Sequence, residues 1–222
     1  MRTEINLKTY KKRNQYFHFS KFPDPSYGLD VDIDVTNIVK YKEEKRISFF
    51  SAFLYLLTKA INSVYELHLR EVKGHIYYYD QIHPTWTVMG ESGVYSNVGC
   101  LFNEDFPAFY KEVVELNDKA KKLNPNDQLD LSPLCNEPNV IFASCLPLLS
   151  VLSFRHPTPS GDHDNLSVPR ILWDKYKKHD DGTYHLTLNV TVSHTLVDGF
   201  PLANVFLKMQ ELANNLEGLP ND

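Results

Sequence analysis

Cysteine is scarce, with Cys100, Cys135 and Cys145 the only three in 222 residues. An odd number at irregular spacing, without a C-x-x-C pair, builds neither a disulfide framework nor a zinc knuckle. It fits a reducing, cytoplasmic setting. Positive charge is also short: 23 Lys and Arg against 28 Asp and Glu leave a formal net charge of -5. That argues against a nucleic-acid partner, which needs a clustered basic surface. One basic cluster, Lys119 with Lys121 and Lys122, falls at the end of a predicted helix, where cations suit the dipole. No stretch approaches the roughly 20 apolar residues that cross a bilayer, so no membrane role is expected. The first residues lack the charged head and apolar run of a secretory signal.

What remains is a chain of 222 residues, 42% hydrophobic and 13% aromatic, enough to bury a sizeable core. Nothing marks a repeat, a low-complexity segment or a second domain, so residues 1–222 are expected to form one domain of mixed α and β structure. The most informative stretch begins at Tyr184. Tyr184, Leu186, Leu188, Val190 and Val192 alternate with His185, Thr187, Asn189, Thr191 and Ser193, the period of a half-buried strand. His194 continues the apolar face and is followed by the turn pair Asp198-Gly199. Leu202, Val205, Phe206, Met209, Ala213 and Leu216 then recur at helical spacing over about four turns. The motif is strand, His, Asp-Gly turn, helix. Taken alone, a His at a strand end and an Asp-Gly turn are ordinary structural features.

Elsewhere, residues 1–28 end in Phe22-Pro23-Asp24-Pro25 and are expected to be loop. Leu29, Val31, Ile33 and Val35 alternate with Asp30, Asp32 and Asp34, predicting a strand with an acidic side. An EF-hand is excluded there, because its Gly and Glu positions hold Val35 and Tyr41. Ser48 caps a predicted helix running to about Tyr65. Antiparallel strands are expected from His75 to Phe102, with turns at Asp80-Gln81 and between Gly90 and Gly93. A helix is expected from Glu104 to Leu123, stopped by Asn124-Pro125-Asn126-Asp127. Val140 to Cys145 reads as a short strand, and His156 to Asp164 as a surface loop without metal-ligand spacing. A further strand follows Leu166, and Asp180-Asp181-Gly182 marks a hairpin turn.

The segment Ser193-His194-Thr195-Leu196-Val197-Asp198-Gly199-Phe200-Pro201 resembles the active-site signature of the chloramphenicol acetyltransferases, His-His-Ala-Val-Cys-Asp-Gly-Phe-His. It is more distantly similar to the catalytic domains of dihydrolipoyl acyltransferases. Other segments match in order: Tyr10 to Phe17, Leu29 to Thr36, Phe49 to Phe53, His83-Pro84-Thr85-Trp86-Thr87-Val88, and Phe142 to Phe154. The resemblance implies a two-layer α/β sandwich, with a mixed β-sheet covered on one side by helices. It also implies a homotrimer with active sites at subunit interfaces.

That resemblance makes His194 the general base toward a small-molecule hydroxyl acceptor, with acetyl-CoA as co-substrate and no metal. Ser144 is the oxyanion donor it implies. Asp198 and Arg13 form a positioning pair that shapes the site without touching the His, and Gly199 is needed for the turn. Lys175, Tyr176 and Phe50 line the CoA channel; Phe19, Ser20 and Tyr95 line the acceptor pocket, with Phe19 reaching the site from a neighbouring chain. Departures from the pattern are Ser193, Pro201, Leu172, Leu148, Ser48 and Ser20, which alter the pocket more than the chemistry. Two other classes remain open: a non-catalytic binding protein on the same scaffold, and a Ser-His hydrolase, for which the G-x-S-x-G elbow is absent.

Overall fold

In the computed structural model, which describes residues 1–123, 134 and 137–220, the acidic alternating stretch becomes an outer strand of a large sheet. The elements in order are β1 (Arg2–Glu4), α1 (Arg13–Phe19), β2 (Ser26–Asp34), α2 (Thr36–Lys45), α3 (Phe49–Asn62), β3 (Leu69–Val72) and β4 (His75–Tyr79). They continue as β5 (His83–Met89), β6 (Tyr95–Gly99), α4 (Phe106–Lys121), β7 (Val140–Leu146), α5 (His163–Leu166), β8 (Arg170–Asp174), β9 (Lys177–Lys178), β10 (Tyr184–Ser193) and α6 (Gly199–Asn215). The helix stop expected at 124–127 and Cys135 lie outside the described residues.

The strand order is β2-β10-β8-β7-β5-β6, with β9 pairing β10, while β1, β4 and β3 form a separate small sheet. Strands β5, β7 and β8 run parallel and the other pairs antiparallel, so the sheet is mixed. Alternation decides the two faces. Leu186, Leu188, Val190, Ile171, Trp173, Ala143 and Trp86 are buried on one face, beneath α3 and α4: Phe53 packs on Trp173 at 5.0 Å, and the Trp86 indole donates to Asn117 at 2.7 Å. The opposite face carries Asp30, Thr187, Asn189, Leu172, Ser144 and Thr87. Part of it is crossed by the segment after β7, through Thr187 Oγ1 donating to the Val151 carbonyl at 2.8 Å and Phe154 N–H donating to Asp30 at 3.1 Å.

The three aspartates of β2 are therefore taken up by protein groups. Asp30 also accepts from Asn189 at 2.8 Å, Asp32 meets His185 at 2.6 Å, and Asp34 accepts from Thr36 N–H at 2.8 Å.

The structure departs from the sequence expectations in several places: β3 was not anticipated, and α5 begins at His163, inside the stretch expected to be loop. Residues 1–28 are not all loop: they hold β1, α1 and the start of β2. Helix α2 was not anticipated either, because both α1 and α2 are fixed by distant partners rather than by their own periodicity. Tyr16, the one buried residue of α1, donates its hydroxyl to Glu71 at 3.2 Å, and Thr36 accepts from Tyr184 N–H at 2.8 Å. Finally, Asp80-Gln81 is no hairpin turn, since β4 and β5 belong to different sheets.

Helix α3 starts as expected, with Ser48 Oγ accepting from Ser51 N–H at 3.3 Å, and ends at Asn62, before a 3-10 turn at Tyr65–His68. Behind it lies Arg70, fully buried. It donates to the carbonyls of Leu67, Leu69, Pro138 and Val140 at 2.6–2.8 Å, so it ties β3 to the first residue of β7. Among the described residues no helix is long and apolar enough to cross a membrane.

Candidate active site

Strand β10 delivers His194 to the end of the sheet. Its backbone N–H donates to the Pro25 carbonyl at 2.9 Å, which holds it beside β2. The imidazole is clamped between two rings: Phe19 stacks at 4.0 Å with 12° between planes, and Tyr27 lies at 4.5 Å. Tyr27 donates its hydroxyl to the Val197 carbonyl at 3.1 Å, and burial, followed by the nearby Asp198 carboxylate, pushes that phenol up to about 12. His194 Nδ1 is buried without a hydrogen-bond partner. Asp198 Oδ1 lies 3.6 Å from it, within reach of an electrostatic contact but too long for a hydrogen bond. With Nδ1 enclosed, the accessible edge of the ring carries Nε2.

Asp198 is held by Lys12, not by Arg13. Lys12 Nζ lies 2.9 Å from Asp198 Oδ2 and 2.9 Å from Glu66 Oε1. Burial alone would lower this ammonium's pKa, but the bonds to Asp198 and Glu66 outweigh it and hold the group above the ordinary lysine value. Arg13 is exposed, with Nη1 3.5 Å from the Lys8 carbonyl. Helix geometry gives the reason: Lys12 is the last residue before α1, and the next residue is rotated by about 100° and turned outward. The Asp198 side chain caps nothing on α6. Gly199 has no positive φ, and a Cβ there would meet nothing within 4 Å, so within this chain the turn does not need glycine.

Ser144 sits where two strands part. β5 and β7 pair from His83↔Val140 to Trp86↔Ala143 and no further, although β5 runs on to Met89 and β7 stays with β8 as far as Leu146. Across the opening, Thr87 Oγ1 and Ser144 Oγ are 3.4 Å apart. A cleft of about 850 Å³ passes through this gap, lined on the helix side by Ser48, Phe50, Trp86, Asn117 and Lys121 and on the other side by Thr87, Tyr95, Asn97 and Ser144, with Leu148 beside them. Cys145 also lines it, but burial, with a smaller contribution from Asp174, pushes its thiol up to about 12, so it stays protonated.

The sequence-predicted residues therefore fall into two groups. Ser144, Phe50 and Tyr95 share the cleft, whereas His194, Asp198 and Phe19 gather at the end of β10. Phe19 stacks on the His194 of its own chain. Lys175 and Tyr176 are not among the residues lining the cleft: Lys175 is exposed, its N–H donating to the Leu149 carbonyl at 3.0 Å, and Tyr176 packs on Phe49 at 4.8 Å. Ser20 Oγ donates to the Tyr16 carbonyl at 2.6 Å and so closes its own helix. Ser144 is level with Leu172, and Leu172 with Asn189, five residues short of His194. Two strand spacings and five residues of rise put the two groups roughly 20 Å apart in one chain.

Lys12, Glu66, Tyr27, Thr87, Asn117 and Lys121 were missed from the sequence. Lys12 and Thr87 lie inside segments matched to the family pattern, and Lys121 belongs to the basic cluster read from the sequence as a helix end.

The family model for chloramphenicol acetyltransferase matches residues 1–210. The chain belongs to the chloramphenicol acetyltransferase family. It is accordingly an acyltransferase. It is similar to chloramphenicol acetyltransferase 3 of Escherichia coli, 27% identical over 218 residues that cover 96% of this chain and 97% of the relative. A Clostridium perfringens chloramphenicol acetyltransferase is 25% identical over 216 residues, covering 96% and 95%. A solved chloramphenicol acetyltransferase structure superposes with a TM-score of 0.85 at 19% identity, over 96% of this chain and all of that one, which establishes the shared fold.

Proposed function

We propose that the chain is an acetyl-CoA-dependent O-acetyltransferase for chloramphenicol or a related hydroxylated small molecule, with each site shared between two copies of the chain. The observation that carries this is the parting of β5 and β7 at Ser144. It sets a hydroxyl donor inside a cleft of about 850 Å³, suited to the long arm of a thioester donor. The family names of the relatives supply the acceptor class.

In this mechanism acetyl-CoA supplies the acetyl group as a thioester. His194, through Nε2, accepts the proton of the acceptor hydroxyl as that oxygen attacks the thioester carbonyl. The Ser144 hydroxyl donates to the oxyanion that forms. When the carbon–sulfur bond breaks, the imidazolium returns its proton to the departing thiolate. Phe19 and Tyr27 fix the ring plane, and Asp198, held by Lys12, keeps the turn after β10 in place. Holding both substrates together removes a bimolecular cost.

The roughly 20 Å between His194 and Ser144 favours sharing over a one-chain site. A second copy presenting its His194 at the open-face mouth of the cleft completes the set, and the resemblance implies three copies.

The test is thiol release from acetyl-CoA across a panel of hydroxylated acceptors that includes chloramphenicol. Release that depends on an acceptor is expected. Release without acceptor would indicate thioester hydrolysis, and silence across the panel would favour a binding protein.

A further inference from the structure

Among the described residues that line the Ser144 cleft, one carries a basic side chain: Lys121. No Asp or Glu among the described residues lines the cleft. Lys121 is the last residue of α4, one turn beyond Asn117, which accepts from the Trp86 indole at 2.7 Å on the helix side of the parted strands. Residues four apart share a helix face, so the step from Asn117 to Lys121 runs about 6 Å along one wall of the cleft. The Lys121 carbonyl accepts from Glu91 N–H at 2.9 Å, fastening this end of α4 to the β5–β6 turn. Its Nζ has Asp118 at 3.7 Å, both side chains more than half exposed. Such a pair contributes little and is easily exchanged for a stronger anion. Ser48, across the cleft, is neutral and occupied as the cap of α3.

An acyl-CoA places its thioester at one end of a long uncharged arm and its phosphates at the other. A passage with a hydroxyl at the strand gap, uncharged walls and one ammonium on the helix side matches that order of groups. We propose that Lys121 is the docking point for a nucleotide phosphate of the acyl donor, with the arm running past Asn117 and Phe50 to Ser144. This inference rests on the transfer reading above, and it assigns the helix-covered side of the sheet to the donor. The charge-assisted bond to phosphate replaces the weak contact with Asp118.

The test is calorimetric titration with CoA itself, which needs no acceptor and no turnover. Lys121→Gln is expected to weaken CoA binding about 5-fold at low salt, the size of one partly screened charge pair. The deficit should shrink at high salt, where such pairs are screened, and Lys121→Arg should bind within about twofold of the native chain. Equal affinity of native and Lys121→Gln proteins, or a deficit that persists undiminished at high salt, overturns the inference. Native protein that binds no CoA and releases no thiol overturns the transfer reading as well, so the two failures are distinguishable.

Discussion

Lys12 and Asp198 meet at 2.9 Å, so the turn between β10 and α6 is held by a side chain from the segment that precedes α1. The same ammonium reaches Glu66. Removing it leaves two carboxylates facing one another and frees the turn that carries His194.

Lys12→Met is therefore expected to lower kcat about 10-fold, with Lys12→Arg keeping most activity and Arg13→Ala within about twofold of native. Steady-state kinetics on the three variants decide which cation positions Asp198; a damaging Arg13→Ala with a harmless Lys12→Met would restore the pairing expected from sequence. The pH dependence has a defined sign. The folded pKa of Lys12 is raised above 10.5, so its contribution to stability is complete below that value and is lost as pH rises through the folded value. The difference in Tm between native and Lys12→Met should stay constant from neutral pH upward and close only above 10.5.

His194→Ala is expected to lower transfer by about 10²- to 10⁴-fold with Tm unchanged. Ser144→Ala is expected to lower kcat by about 10²- to 10³-fold with CoA affinity retained, since its bond strengthens as the oxyanion forms. A covalent acetyl group on Ser144, detected by intact-mass spectrometry, would replace direct transfer by a hydrolase-like route.

Arg70 offers a stability test away from the chemistry. Four carbonyls depend on its guanidinium, and none of them gains a partner when it is removed. Arg70→Met should lose about 3 kcal/mol or more in urea unfolding. Arg70→Lys should recover only part of this, because an ammonium has fewer and differently placed donors. A loss near zero would mean that water replaces the guanidinium.

Gly199→Ala should leave Tm unchanged or slightly raised, because alanine is the better residue in the first turn of a helix by up to about 1 kcal/mol and nothing in the chain meets the added methyl. A lower Tm would show strain at the turn.

The parts of the fold that were legible in the sequence are those whose pattern is self-contained. β10 alternates over its whole length, and α6 and α3 carry their own stripes and, for α3, its Ser48 cap. Helices α1 and α2 were not legible, because Tyr16 finds Glu71 and Thr36 finds Tyr184 only after distant segments have folded. At the site, His194 and Ser144 stood out through the motifs around them. Lys12 and Arg13 are adjacent cations, and only the start of α1 decides which one faces Asp198. The cleft was invisible for a topological reason: it exists because two strands, with Thr87 and Ser144 57 positions apart, stop pairing.

The central claim is that His194 and Ser144 act together only across two chains. The direct measurement is subunit complementation: His194→Ala and Ser144→Ala proteins, each nearly inactive alone, are dissociated, mixed, reassembled and assayed for acceptor-dependent thiol release. In a closed ring about one site in four combines an intact His194 with an intact Ser144 from its neighbour, so the mixture should regain roughly that share of native activity. Hetero-oligomers confirmed by mass spectrometry that remain as inactive as their parents, or a fully active native monomer, would contradict it.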